Sequence, residues 1–297
     1  MTKKILAILM ALALVLSFAA CGAKNTDETT TEADTTVADD TTAADDTTAA
    51  PADDTTAADD TTAAPADETT VAEDTTAAEE TTEAAKLPET TAEIIECFNT
   101  ASNAVKTDAK SVTRNYSKIS LAGSTTLPSS LNAVLRLLGG ADKFLGDQLS
   151  KNSKGSETFT GSSIKSIYPV ENETWASKLT ADDVKSATCT EKDGKLTIVI
   201  VTKADGKSSS IKHGEGHAPK AFNVILPGVV NDNIPGAAAS LVGTATMNYP
   251  ESKITAVIDI ATGHVESSTY DLYWTINFDK AGAILPFLTS DSYTIKY

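Results

Sequence analysis

The chain has 297 residues, with 24 basic and 41 acidic side chains and a formal net charge of −17. That balance offers nothing to a nucleic acid backbone, which basic surfaces bind. The acidity is local: residues 25–90 hold 20 acids and one base, Lys86, whereas residues 91–297 hold 21 acids and 20 bases. The nearly neutral C-terminal stretch of about 205 residues is long enough for one core, or at most two small ones.

In chain order, the first element is a secretory signal: Lys3 and Lys4, an apolar run from Ile5 to Leu16, then small residues. The run is about 12 residues long, short of the roughly 17–25 that a membrane-spanning helix needs. It closes on Leu16-Ser17-Phe18-Ala19-Ala20-Cys21, followed by Gly22. This ending resembles the lipobox of bacterial lipoproteins, with Phe18 where the family usually has Leu. The resemblance implies a diacylglyceryl group on the Cys21 thiol and cleavage between Ala20 and Cys21. Two acyl chains hold a protein stably, since each buried methylene contributes about 0.8 kcal/mol.

From Asn25 to about Thr82 the sequence is low in complexity. Its unit, Thr-Thr-Ala-Ala-Asp-Asp, reads at Thr41 to Asp46 and Thr55 to Asp60, and is lengthened by Pro-Ala at Thr47 to Asp54 and Thr61 to Glu68. No unit carries a large apolar residue, so nothing offsets the entropy of ordering it; residues 21–87 are expected to be a disordered acidic tether. The Asp-Asp pairs have no loop geometry to hold calcium.

The expected domain spans residues 88–297. Thr90 and Glu93 read as a capping box, with Ile94, Ile95, Phe98, Ala101 and Val105 on one face of the following helix. A second helical patch runs through Leu131, Val134, Leu135 and Leu138, is interrupted by Gly139-Gly140, and resumes at Phe144, Leu145 and Leu149. From residue 156 the pattern is one of strands. Ser186 to Glu191 and Lys195 to Lys203 form a hairpin around Asp193-Gly194, the second arm apolar on both faces like a central strand. Lys253 to Thr269 forms another, turning at Ala261-Thr262-Gly263. In Tyr270 to Asp279, Tyr270, Leu272, Trp274, Ile276 and Phe278 alternate with polar residues, the mark of a strand buried on one side. Ala221 to Val230 reads as a short helix and Ser292 to Tyr297 as a last strand. The fold class is therefore α+β, a largely antiparallel sheet covered by N-terminal helices.

Signals for chemistry are thin, and the sequence specifies no catalytic residue, cofactor or metal. His213-Gly-Glu-Gly-His217 sets two imidazoles and Glu215 at the alternation a zinc site needs, but glycines flanking Glu215 favour a solvated loop. His264 is isolated. Ser162-x-x-Lys165 and Ser209-x-x-Lys212 match the serine–lysine pair of penicillin-recognising enzymes without any partner motif. Cys97 and Cys189 are either a disulfide tying helix to sheet or two buried thiols. Trp175 is either an exposed binding aromatic or a core or edge residue.

Tether and domain together look like the uncharacterised surface lipoproteins of Gram-positive anaerobes. The sheet with its helices loosely resembles lipid-carrying periplasmic lipoproteins, whose half-open barrel encloses acyl chains. These likenesses imply a lipid-anchored protein on the extracytoplasmic face of the cell membrane. The partners they suggest are the membrane through Cys21 and an envelope protein, the wall or an apolar ligand. The reading that follows is a non-catalytic binding or interaction module, the alternatives being a small extracytoplasmic hydrolase or a lipid carrier.

Overall fold

A computed structural model describes residues 87–137, 139–234 and 236–297. The signal sequence, Cys21 and the repeats lie outside the described residues.

Helix α1 (Thr91–Asp108) begins where the capping box places it. The Thr90 hydroxyl accepts from the Glu93 amide at 3.2 Å, and the Glu93 carboxylate accepts from the Thr90 amide at 2.9 Å. Two of the amides that a helix start leaves unpaired are thereby satisfied. Ile94, Ile95, Phe98, Ala101 and Val105 are buried, and so are Ser102 and Lys106 on the same face.

The sheet is α+β in arrangement and antiparallel throughout, with eight strands. They are β1 (Ser111–Leu121), β2 (Glu157–Thr160), β3 (Val184–Lys192), β4 (Lys195–Thr202), β5 (Ala245–Asn248), β6 (Lys253–Asp259), β7 (Val265–Phe278) and β8 (Ala283–Lys296). Their order is β2-β1-β8-β7-β6-β4-β3, with β5 pairing β7 off this path. Helices α2 (Ser129–Arg136) and α3 (Ala141–Ser150) follow β1, and α4 (Pro227–Asp232) and α5 (Gly236–Val242) precede β5. Helix α1 packs on β3 and β7, and α3 on β1. All the helices lie within or before the strand-rich part, so the cover is partly N-terminal and partly inserted.

The inner face carries the core. On β7, Tyr270, Leu272, Trp274, Ile276 and Phe278 are buried; on β8, Leu285, Phe287, Tyr293 and Ile295 are. Trp274 stacks on Phe287 at 4.3 Å, and its indole N–H donates to the Thr289 hydroxyl at 3.0 Å, which removes the cost of burying that donor. Tyr168, Tyr270 and Tyr293 meet edge to face with ring centroids 5.3–6.2 Å apart. Burial drives the Tyr270 and Tyr293 phenols well above their usual range, so both stay neutral.

Several expectations need correction. Ser111–Leu121, unrecognised in the sequence, is a strand of 11 residues, and the last strand begins at Ala283, well before Ser292. Strand β4 is not central: it lies next to the edge, with Leu196, Ile198, Ile200 and Thr202 buried and Val199 and Val201 half-buried. The helix expected from Ala221 starts only at Pro227, a residue that suits a first helical position because it has no amide hydrogen to leave unpaired. Among the described residues no helix is long and apolar enough to cross a membrane.

Candidate functional site

A charged side chain is buried in the last turn of α1. Lys106 sits on its apolar stripe, and its ammonium donates to the backbone oxygens of Val170, at 2.5 Å, and Glu173, at 2.9 Å. It thus staples the loop at residues 169–175 to the helix. Burial lowers the Lys106 pKa to about 8, against the pull of the Glu173 and Glu171 carboxylates. The same loop is fixed from the other side. The Glu171 amide donates to the Asn223 side-chain oxygen at 2.7 Å, and the Asn172 amide to the Lys165 carbonyl at 2.8 Å. Asn172 has φ 66°, a left-handed conformation that asparagine tolerates better than most residues.

This loop forms one wall of a cavity of about 200 Å³, lined by Glu171, His213 and Asn223 together with Ile225, Leu226 and Val229. The buried His213 Nδ1 has no partner. Burial raises the Glu171 pKa, while the charges of Lys154, Arg114 and Lys106 pull it back. Burial lowers that of His213, with Glu173 acting in the opposite sense. At neutral pH the imidazole is therefore uncharged.

On the inner face of the sheet, buried Asp291 of β8 lies opposite Ser117 of β1. Asp291 Oδ1 and the Arg114 Nε are buried without partners, although the guanidinium reaches Glu157 at 2.6 Å. Burial pushes the Asp291 pKa up to about 6 despite the Ser117 hydroxyl and the Arg114 charge.

A second buried aspartate has the opposite surroundings. Asp183, just before β3, accepts from Lys220 Nζ at 2.7 and 2.9 Å and from the Thr180 amide and hydroxyl at 2.8 Å each. It also lies 2.9 Å from His217 Nδ1. Burial alone would raise its pKa, but these donors hold it at about 2. Against an ionised carboxylate His217 Nδ1 must be the donor. Asp205 completes the arrangement by accepting from the backbone amides of His217 and Ala218 at 2.7 and 2.9 Å.

The structure therefore takes the His213-Gly-Glu-Gly-His217 segment apart. His213 turns to the cavity, His217 to Asp183, and Glu215 accepts from the Lys212 amide at 2.9 Å. The solvated loop expected there is wrong for His217, which is half-buried and bonded. Among the described residues no group of three or more His, Cys, Asp or Glu side chains is placed to hold a metal ion. Ser162, Lys165, Ser209 and Lys212 are all exposed. Trp175 is half-buried, with the Lys178 ammonium 4.3 Å over its ring, and His264 stacks on Tyr297 at 3.7 Å. Cys97 and Cys189 are free and half-buried; burial raises both thiol pKa values, and the neighbouring Cys97 adds to the rise at Cys189.

Sequence reasoning missed Lys106, Glu171 and Asp291. A signal existed for Lys106, which lies eight residues after Phe98 and four after Ser102 on the buried face of α1. None existed for Glu171, whose burial depends on a loop meeting residues 213–229. Comparison with known proteins finds no matching family model, curated protein or solved structure.

Proposed function

We propose that this chain is a bacterial lipoprotein anchored through acylated Cys21 on the extracytoplasmic face of the cell membrane, and that its domain is a non-catalytic binding module. The observation that carries the anchor is the run Leu16-Ser17-Phe18-Ala19-Ala20-Cys21 after a short apolar segment. The acidic repeats then act as a spacer, kept extended by the mutual repulsion of their carboxylates.

Two features support binding over catalysis or lipid carriage. The serines expected of a hydrolase are exposed, and the histidines are committed elsewhere, His217 to Asp183 and His213 to the cavity. The space between α1 and the sheet, where acyl chains would lie in a carrier, is taken by Phe98, Tyr168, Phe222, Tyr270 and Tyr293, all buried. A close-packed interior of this kind has no room for a chain without displacing its own side chains.

The test is membrane retention. Cys21→Ser removes the acyl acceptor, so the variant should accumulate as an unprocessed precursor and incorporate no labelled palmitate. A variant that still partitions with membranes in processed form would overturn the anchor.

A further inference from the structure

We propose that Cys97 and Cys189 form an intramolecular disulfide once the protein has been exported, a modification that ties helix α1 to the edge strand β3. The inference rests on the extracytoplasmic reading above, because such bonds form and persist outside the cytoplasm.

The chain has three cysteines, and the proposed anchor uses Cys21. Two thiols remain, so a single pairing is open to them. Both are turned toward the same interior. Cys97 follows Ile94 by three residues and precedes Ala101 by four, so it borders the buried stripe of α1. Cys189 pairs in register with Ile198, which is fully buried, and residues directly opposite one another in an antiparallel ladder project from the same face. Thr188 and Thr190 on either side of it are exposed while Cys189 is half-buried, as the alternation of a strand requires.

The elements that carry the two thiols touch. Helix α1 packs on β3 with Cα atoms of the two within 8 Å of one another, and both cysteines lie against the hydrophobic core. A disulfide spans Cα atoms up to about 7 Å apart, the scale of this packing. The thiols also sense each other, since the charge of Cys97 adds to the rise of the Cys189 pKa. Strand β3 ends the sheet next to β4, and the bond fastens this edge to the helix that covers it.

The structure shows the reduced form, with both thiols free. Closing the pair needs an oxidant, which we take to be the disulfide of an exported thiol oxidoreductase. One cysteine thiolate attacks that disulfide, forms a mixed disulfide and expels the first donor thiolate. The second cysteine thiolate then attacks the protein sulfur of the mixed disulfide, which forms the Sγ–Sγ bond and expels the second donor thiolate. Two electrons pass to the donor, whose disulfide becomes two thiols. Burial raises both cysteine pKa values, so the thiolates are scarce at neutral pH and closure quickens as pH rises.

The test has two arms. In the first, the reduced full chain in detergent micelles is treated with oxidised glutathione at pH 8.5, alkylated and digested with trypsin. Mass spectrometry should find Leu87–Lys106 linked to Ser186–Lys192 as the main cysteine product, and Cys97→Ser should leave Cys189 as a glutathione adduct. Reducing the closed form should lower its melting temperature by roughly 10 °C, with no shift in the Cys97→Ala/Cys189→Ala double variant. Glutathione adducts on both cysteines in place of the linked peptides, or an equal shift in the double variant, would overturn the proposal wherever the protein resides. In the second arm, thiols in growing cells are blocked with N-ethylmaleimide before lysis, and the membrane-bound protein should carry no maleimide on either cysteine. Maleimide on both would overturn formation of the bond in the cell. If Cys21→Ser shows that the anchor reading fails, the first arm still decides whether the two thiols can pair.

Discussion

Asp183 and Asp291 are equally buried, 3 % and 4 % exposed, yet they are held at opposite ends of the carboxylate range. Asp183 has donors from Lys220, His217 and Thr180 and titrates at about 2; Asp291 keeps one oxygen without a partner and titrates at about 6. Burial is common to both, so the difference comes from the donors around each carboxylate. Around Asp183 the chain has built a clamp that closes residues 203–220 onto the end of the sheet. Around Asp291 it tolerates an ionisable group where a neutral one would be more stable. The first arrangement holds the fold together. The second shares the inner face of the sheet with the unpaired Arg114 Nε.

The sharpest way to break this comparison is at the clamp. Asp183→Ala strands the Lys220 ammonium and removes the acceptor of His217, and breaking a buried pair on one side costs about 3–5 kcal/mol. At about 2–4 °C per kcal/mol for a domain of this size, thermal melting at pH 7 should fall by roughly 10 °C. The contribution also has a definite pH window. Because the folded pKa is depressed, the stability it adds is present above about pH 4 and is lost as pH falls through about 2. A loss of under 3 °C, or an acid profile identical to wild type, would show that the clamp is dispensable.

The next effect has the opposite sign. The folded pKa of Asp291 is raised, so the stability this group contributes is complete below about pH 4 and is lost as pH rises through about 6. Asp291→Asn imitates the neutral form. Urea denaturation should show a gain of about 2–3 kcal/mol at pH 8 and almost none at pH 4. Destabilisation at both pH values would mean that the ionised carboxylate is well solvated by partners, and the contrast with Asp183 would fail.

The smallest effect separates the two histidines. His217→Ala removes one donor from Asp183 and should cost about 1 kcal/mol, whereas adding His213→Ala should change stability no further, since His213 Nδ1 has no partner to lose. Bound zinc, measured by plasma emission, should be equally low in wild type and in the double variant. A second loss of similar size would place His213 in the clamp.

What was legible in the sequence follows from where the physics is local. The capping box at Thr90 and Glu93 and the stripe Ile94, Ile95, Phe98, Ala101, Val105 define α1 within a few turns of chain. The alternation from Tyr270 to Phe278 defines β7, because one face is core and the other faces away from it. Strand β1 escaped notice because Arg114 and Ser117 occupy inward positions and Asn115 is an extra residue in a bulge, so the period of two is broken both chemically and geometrically. Asn115 is held there by side-chain bonds to Ser292 and Thr294 at 3.2 and 3.1 Å, neither foreseeable from a position some 180 residues earlier. The site was opaque for the same reason. Glu171, His213 and Lys106 are ordinary charged residues in sequence, and only tertiary contact makes them buried.

The place of β8 in the sheet bears on how the chain reaches this state. It is the last strand in sequence but lies inside the sheet, flanked by β1 and β7, and Ser111 pairs with Lys296 across 185 positions of chain. The β1–β2 hairpin therefore has no neighbour on its inner side until the segment from Ala283 has been synthesised, and closing so long a loop costs entropy before any contact repays it. Folding cannot proceed strand by strand from the N-terminus. The sheet's halves join in a late, slow step, and a chain halted anywhere before Ala283 leaves the backbone edge of β1 that pairs with β8 unpaired and open to association with other unfinished copies.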